Sequence, residues 1–154
     1  MIKVLKIFIV GALVAFTLSA CATPPPLMLQ TPSGRPEATF DKTTTPAVLG
    51  KLVGVCLNRG AVIVNQTDNQ LVCQRDLPPG DAILAQLLIG NSYSTTPINK
   101  IRFNAAQIGP DVRVQAYQWI ETQMAFGQMQ TVEMNSNEQF NSVESLLLGA
   151  GGHP

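Results

Sequence analysis

Two stretches of strict alternation stand out in the hydrophobic pattern of the chain. Ile101, Phe103 and Ala105 alternate with Lys100, Arg102 and Asn104; beyond Ile108-Gly109-Pro110, Val112, Val114 and Ala116 alternate with Arg113 and Gln115. A period of two sends successive side chains to opposite faces, so residues 99–107 and 111–122 are expected to form a hairpin with one buried and one wet face. Upstream, residues 37–40 are short and β-prone. Thr45 then stands as an N-cap before Pro46, a residue well tolerated at the first helical position. Leu49, Leu52, Val53 and Cys56 recur at i, i+3, i+4 and i+7, the stripe of an amphipathic helix, and Asn58-Arg59-Gly60 supplies its stop.

The remaining chain continues in the same vein. Residues 61–66 and 70–75 flank Thr67-Asp68-Asn69 as a second hairpin, and Leu77-Pro78-Pro79-Gly80 breaks the chain before Asp81 caps a short apolar helix, 82–89, ended by Gly90. Residues 91–97 read as loop and 128–134 as a last strand. Ser136 with Gln139 three residues on has the form of a capping box, and Phe140, Val143 and Leu147 mark a final helix ending at Gly149. The order β, α, β, β, short α, β, β, β, α defines an α+β fold. The expected form is a two-layer sandwich, an antiparallel or mixed sheet with helices packed on one face. A single domain of residues 37–149 and a flexible glycine-rich tail, 150–154, follow. The order loosely resembles the helix-grip domains of some outer-membrane assembly lipoproteins, a likeness of fold that assigns no activity.

The N-terminus changes the picture from fold to address. Lys3 and Lys6 precede an uncharged run from Ile7 to Ala20, the layout of a signal peptide. As a helix that run covers about 21 Å, short of the roughly 30 Å hydrocarbon core, so removal is expected over retention as a span. It closes on Leu18-Ser19-Ala20-Cys21, which resembles the lipobox of bacterial lipoproteins. The resemblance implies cleavage before Cys21, diacylglyceryl on its thiol and a further acyl chain, such as palmitate, on its amine. Ala22 follows where an Asp would suggest retention in an inner membrane, which favours the outer membrane with the domain facing the periplasm. From Ala22 to Pro36 five prolines favour an extended tether with a reach of up to roughly 45 Å; within it Leu27-Met28-Leu29 is apolar enough to touch the domain or a partner.

Composition narrows the chemistry. Taking Lys3 and Lys6 away with the leader leaves 8 of the 10 Lys/Arg against 10 Asp/Glu, with no polybasic stretch to replace phosphate counterions, so nucleic acid is not an expected partner. The single histidine, His153, sits in the terminal tail, which deprives Ser-His-Asp and Cys-His catalysis of their usual base and a zinc site of its commonest nitrogen ligand. Glu121 and Glu133 are the only carboxylates with a prospect of facing each other, and solvated strand positions account for them. Gly149-Ala150-Gly151-Gly152 has no following helix with which to cradle a phosphate. The expectation is a non-enzyme with no metal and no cofactor.

With Cys21 assigned to lipid, Cys56 and Cys73 remain as an even pair in an oxidising compartment. They form either a disulfide or two buried thiols; the pairing is favoured as a structural staple, since no Cys-x-x-Cys spacing suggests redox work. Tyr117 and Trp119 fall by strict alternation on the same strand face as Arg113 and Gln115. Arg113, Tyr117 and Trp119 are thus a candidate interaction surface, unless a bulge after Ala116 turns the rings inward or a helix or loop covers them. The segment Ile83-Leu84 with Leu87-Leu88-Ile89 is either buried between layers or a face for lipid or a partner. Two functions are carried forward: a membrane-anchored, non-catalytic subunit that docks onto an envelope protein of an assembly, secretion or conjugation system, and a binding module for a small apolar or lipid-like ligand.

Overall fold

The computed structural model describes residues 23–89 and 95–154; the leader, the lipobox, the expected helix stop at Gly90 and the first part of the expected loop, 91–94, lie outside them. In chain order the elements are β1 (Glu37–Phe40), α1 (Thr45–Asn58), β2 (Val62–Gln66), β3 (Gln70–Asp76), α2 (Pro79–Ile89), β4 (Ile98–Ile108), β5 (Asp111–Gln123), a single 3-10 turn at Ala125–Gly127, β6 (Met129–Glu133) and α3 (Asn137–Gly149). The fold is α+β, with every strand pair antiparallel. The sheet runs β1-β5-β4-β3-β2, and β5 is long enough to take two partners on its free edge: β1 opposite Val112–Gln115 and β6 opposite Trp119–Gln123.

The β4–β5 hairpin sets the register of the whole sheet. Gly109 takes φ +62°, which a residue without Cβ adopts freely, and the two-residue turn it makes with Pro110 pairs Ile108 with Asp111. From there pairing continues without a bulge to Ile98 opposite Glu121, so Arg102 stands across from Tyr117. The inner face presents Leu71, Cys73, Phe103, Ala105, Val112, Val114 and Ala116. Against it pack Val48, Leu49, Leu52 and Cys56 of α1 and Val143, Leu146 and Leu147 of α3, with Ala38 and Phe40 of β1 closing the side.

Cys56 and Cys73 are joined in a disulfide, Cα–Cα 6.3 Å, tying α1 to the middle of the sheet. The capping box also forms: the Ser136 hydroxyl accepts from the Gln139 N–H while the Gln139 side chain accepts from the Ser136 N–H. Two helix starts differ from expectation. Thr44, not Thr45, is the N-cap of α1, which puts Pro46 one place later, and α2 begins at Pro79, so Asp81 lies in its first turn and does not cap it. Proline at the first helical position explains the second shift, because its missing N–H has no helical partner there in any case.

The terminal segments differ more. The proline-rich stretch, expected as an extended tether, lies on α3: the Asn137 amide donates to Pro25 O and the Asn141 amide to Pro26 O, while the Met28 N–H donates to Asn141 Oδ1 at 2.6 Å. Prolines lack donors but keep their carbonyls, and two asparagines one helical turn apart collect them. The tail expected to be flexible is likewise held. Thr39 and His153 exchange both backbone hydrogen bonds, at 2.8 and 2.9 Å, and His153 Nε2 meets Asp41 Oδ1 at 2.8 Å, an ion pair that raises the imidazole pKa. Gly152 passes so close to the core that a Cβ there would stand 2.8 Å from Ala38 Cβ and 3.1 Å from the Leu147 carbonyl. Gly152→Val is expected to lower the unfolding free energy by about 1–3 kcal/mol, whereas a free tail would leave it unchanged; urea denaturation of the two chains decides.

Candidate functional site

Alternation along β5 carries Arg113, Gln115, Tyr117, Trp119 and Glu121 to the face opposite α1 and α3. The unbroken register brings Lys100, Arg102 and Asn104 of β4 beside them. All three candidate residues lie on this face. Tyr117 and Trp119 come together, with ring centroids 5.3 Å apart and planes inclined by 38°, and both are half-buried. Arg113 does not join them: its guanidinium donates to both carboxylate oxygens of Glu37, at 2.6 and 2.7 Å. Burial pushes the Glu37 carboxyl up, but the hydrogen bonds from Arg113 and Ser33, with the Arg113 charge, outweigh it and hold the group below its ordinary pKa.

Two arginines that sequence reasoning did not single out flank the tyrosine. Arg35, from the segment before β1, sits 4.7 Å from the Tyr117 ring centroid and pairs with Glu133 at 2.6 Å; Arg102 sits 5.2 Å from the same centroid. The Trp119 indole N–H donates to Glu121 Oε2 at 3.2 Å, and Lys100 holds the other oxygen. Burial raises the Glu121 pKa, and the hydrogen bonds from Lys100 and Trp119 reverse the shift to a net lowering. Glu121 and Glu133 are thus each committed to a different cation.

Of the four cations here, three are paired: Arg35, Lys100 and Arg113. Arg102 is in no ion pair among the described residues, and its Nε is buried without a hydrogen-bond partner. The site is therefore a stacked aromatic pair braced by charges, with one guanidinium outside any ion pair among the described residues. Arg102 was legible in principle, since a two-residue Gly-Pro turn places it opposite Tyr117. Arg35 was not, because a loop residue carries no periodicity.

On the inner side a cleft of about 120 Å³ opens between α1 and α3, with apolar walls from Ile101, Val143 and Leu146, the Cys56–Cys73 bond at its floor and Arg59 and Arg75 at its rim. Among the described residues no three His, Cys, Asp or Glu side chains converge as a metal site would need, and no helix is long and apolar enough to cross a membrane. No protein-family model matches the chain, and no curated protein matches its sequence.

Proposed function

We propose that this protein is a bacterial lipoprotein, anchored to a membrane by acyl chains on Cys21 and working without catalysis as a docking subunit of an envelope assembly, secretion or conjugation system. The observation that carries the docking role is the half-buried Tyr117–Trp119 stack with Arg102 beside it, an arginine in no ion pair among the described residues. Tyr, Trp and Arg supply most hot-spot energy because they bury large rigid surfaces and form directional hydrogen bonds. A partner presenting a carboxylate next to an apolar side chain satisfies both halves of this site. Anchoring raises the encounter rate by confining the protein to the surface where such a partner resides.

Crosslinking in intact envelopes, followed by capture of the tagged chain, tests the docking role. Tyr117→Ala and Arg102→Ala are each expected to cut recovery of the wild-type partner by about 30-fold, the equivalent of 2 kcal/mol, with unchanged thermal unfolding. Val64→Ala, at an exposed position on β2, should not alter it. Equal recovery from all four chains rejects the site. The inner cleft favours a second reading, a binding module for a small amphiphile with its acidic head against Arg59 and Arg75; native mass spectrometry of the purified protein would then show a bound fatty acid or similar ligand.

A further inference from the structure

Both ends of the sheet carry charge, and they differ in their hairpins. At one end the β4–β5 turn lies with Asp111, Lys42, Asp41 and His153, all close together in register or by hydrogen bonds. At the other lie the end of β3 with Arg75 and Asp76, the start of β4 with the Lys100–Glu121 pair, and the β5–β6 hairpin. From Thr122 to Val132 this second hairpin has no charged side chain. Its tip is built around Phe126, held at φ +68° with its ring fully exposed, and followed by Met129, 54 % exposed. The helix that packs on β6, α2, belongs to a second uncharged stretch, from Ala82 to Asn99, and shows Ile83 at 65 % exposure. A fully exposed phenylalanine at a left-handed backbone position serves no packing purpose within the domain, and grouped apolar exposure of this kind marks a contact surface.

The path of the N-terminal segment points to the same end. Pro25 is bonded at Asn137, the first residue of α3, and Pro26 and Met28 at Asn141 one turn further on. Residues 29–32 then lie beside Thr39 and Pro154 at the end of the β4–β5 turn. Three residues lie between Pro25 and Cys21, a span of at most about 14 Å, so a lipid on Cys21 is tethered within that reach of the start of α3, the helix that β6 leads into. β6 itself covers about 17 Å between α3 and the hairpin tip.

We infer that the β5–β6 hairpin is a second membrane contact, with Phe126 and Met129 entering the interfacial region of the bilayer that holds Cys21 and Ile83 of α2 lying alongside. The inference rests on the lipid-anchor reading. The apolar tip and the absence of charge over both stretches suit a lipid surface, whose interfacial region takes Phe126 and Met129 together with neutral polar neighbours such as Gln123, Gln128 and Gln130. Two contacts fix what a single flexible anchor does not, the tilt of the domain. They turn the end with the β4–β5 turn away from the bilayer and stand the Tyr117–Trp119 face upright, open to a partner approaching along the membrane.

The test uses the full chain in the membranes of the bacterium that makes it, with p-benzoyl-phenylalanine replacing Phe126 in one version and Ile108, exposed at the opposite hairpin, in another. Illumination should yield a phospholipid adduct at 126 and none at 108. A protein adduct at 126, no lipid adduct there, or lipid adducts at both positions overturns the inference while the chain still sediments with membranes. Recovery of the chain in the soluble fraction overturns the anchor reading itself, so the two failures are told apart by fractionation alone.

Discussion

The Cys21→Ala chain is expected to take up no radiolabelled palmitate and to leave the membrane fraction entirely. The size of the effect follows from chain counting. Each buried methylene contributes about 0.8 kcal/mol, one acyl chain gives only reversible attachment, and two or three make release negligible. The hairpin contact inferred above is far weaker: one phenylalanine and one methionine reaching the interface do not replace acyl chains, so they orient an anchored domain and do not retain a free one. An unlabelled, soluble chain is the expected product; a labelled or membrane-bound mutant would refute the reading of Leu18-Ser19-Ala20-Cys21.

Loss of the Cys56–Cys73 bond should lower the free energy of unfolding by about 3 kcal/mol, the value the chain-entropy model assigns to a loop closed by residues 17 apart in sequence. The measurement is chemical denaturation of wild type with and without reductant, beside Cys56→Ala with Cys73→Ala. Both sulfurs are buried, Cys73 at 0 % and Cys56 at 4 % exposure, so reduction also leaves two thiols in a site shaped for a bridge. The double alanine chain loses in addition the packing of the two sulfurs. A difference below about 1 kcal/mol would place the stabilising work of this domain elsewhere, since stabilities of small domains total only about 5–15 kcal/mol. The bond also forms the floor of the cleft between α1 and α3, so its removal should widen that cleft.

Both rings of the proposed docking face are braced. Tyr117 and Trp119 are half-buried rings on a sheet face, and each is held by charges: Arg35 and Arg102 against the tyrosine, Glu121 under the indole N–H. Exposed ion pairs contribute little to folding, but here Glu133 holds Arg35 in place over the Tyr117 ring. The entropy of ordering the surface is spent at folding and not at binding, which is how preorganised interfaces gain affinity. Glu144 plays a comparable part on the other side. Burial pushes its carboxyl pKa up, and although Oε1 accepts the N–H of Glu37 at 3.0 Å, Oε2 has no partner. It lines a cavity of about 250 Å³ with Leu27, Leu29 and Phe140 beneath the docked N-terminal segment.

What the sequence determined by itself was whatever repeats at short range. Period two along residues 99–107 and 111–122 specified a hairpin, its faces and the side on which Tyr117 and Trp119 stand, because each alternation is a local consequence of the pleat. The stripe through Leu49, Leu52 and Cys56, the Ser136–Gln139 box and the pairing of an even number of cysteines were legible for the same reason: each depends on neighbours within a few residues or on a count. Tertiary structure alone decided the contacts that carry no period. Only folding brings Arg35 over Tyr117, lays Pro25–Met28 along α3 and pairs His153 with Thr39, since these join residues about seventy-five or more positions apart through side chains and single hydrogen bonds. Polar termini rich in proline or glycine look free in a sequence because nothing nearby satisfies them. In the folded chain the free edge of β1 and two asparagines of α3 do so, and that decides both where the anchor leaves the domain and which end of it meets the membrane in our proposal.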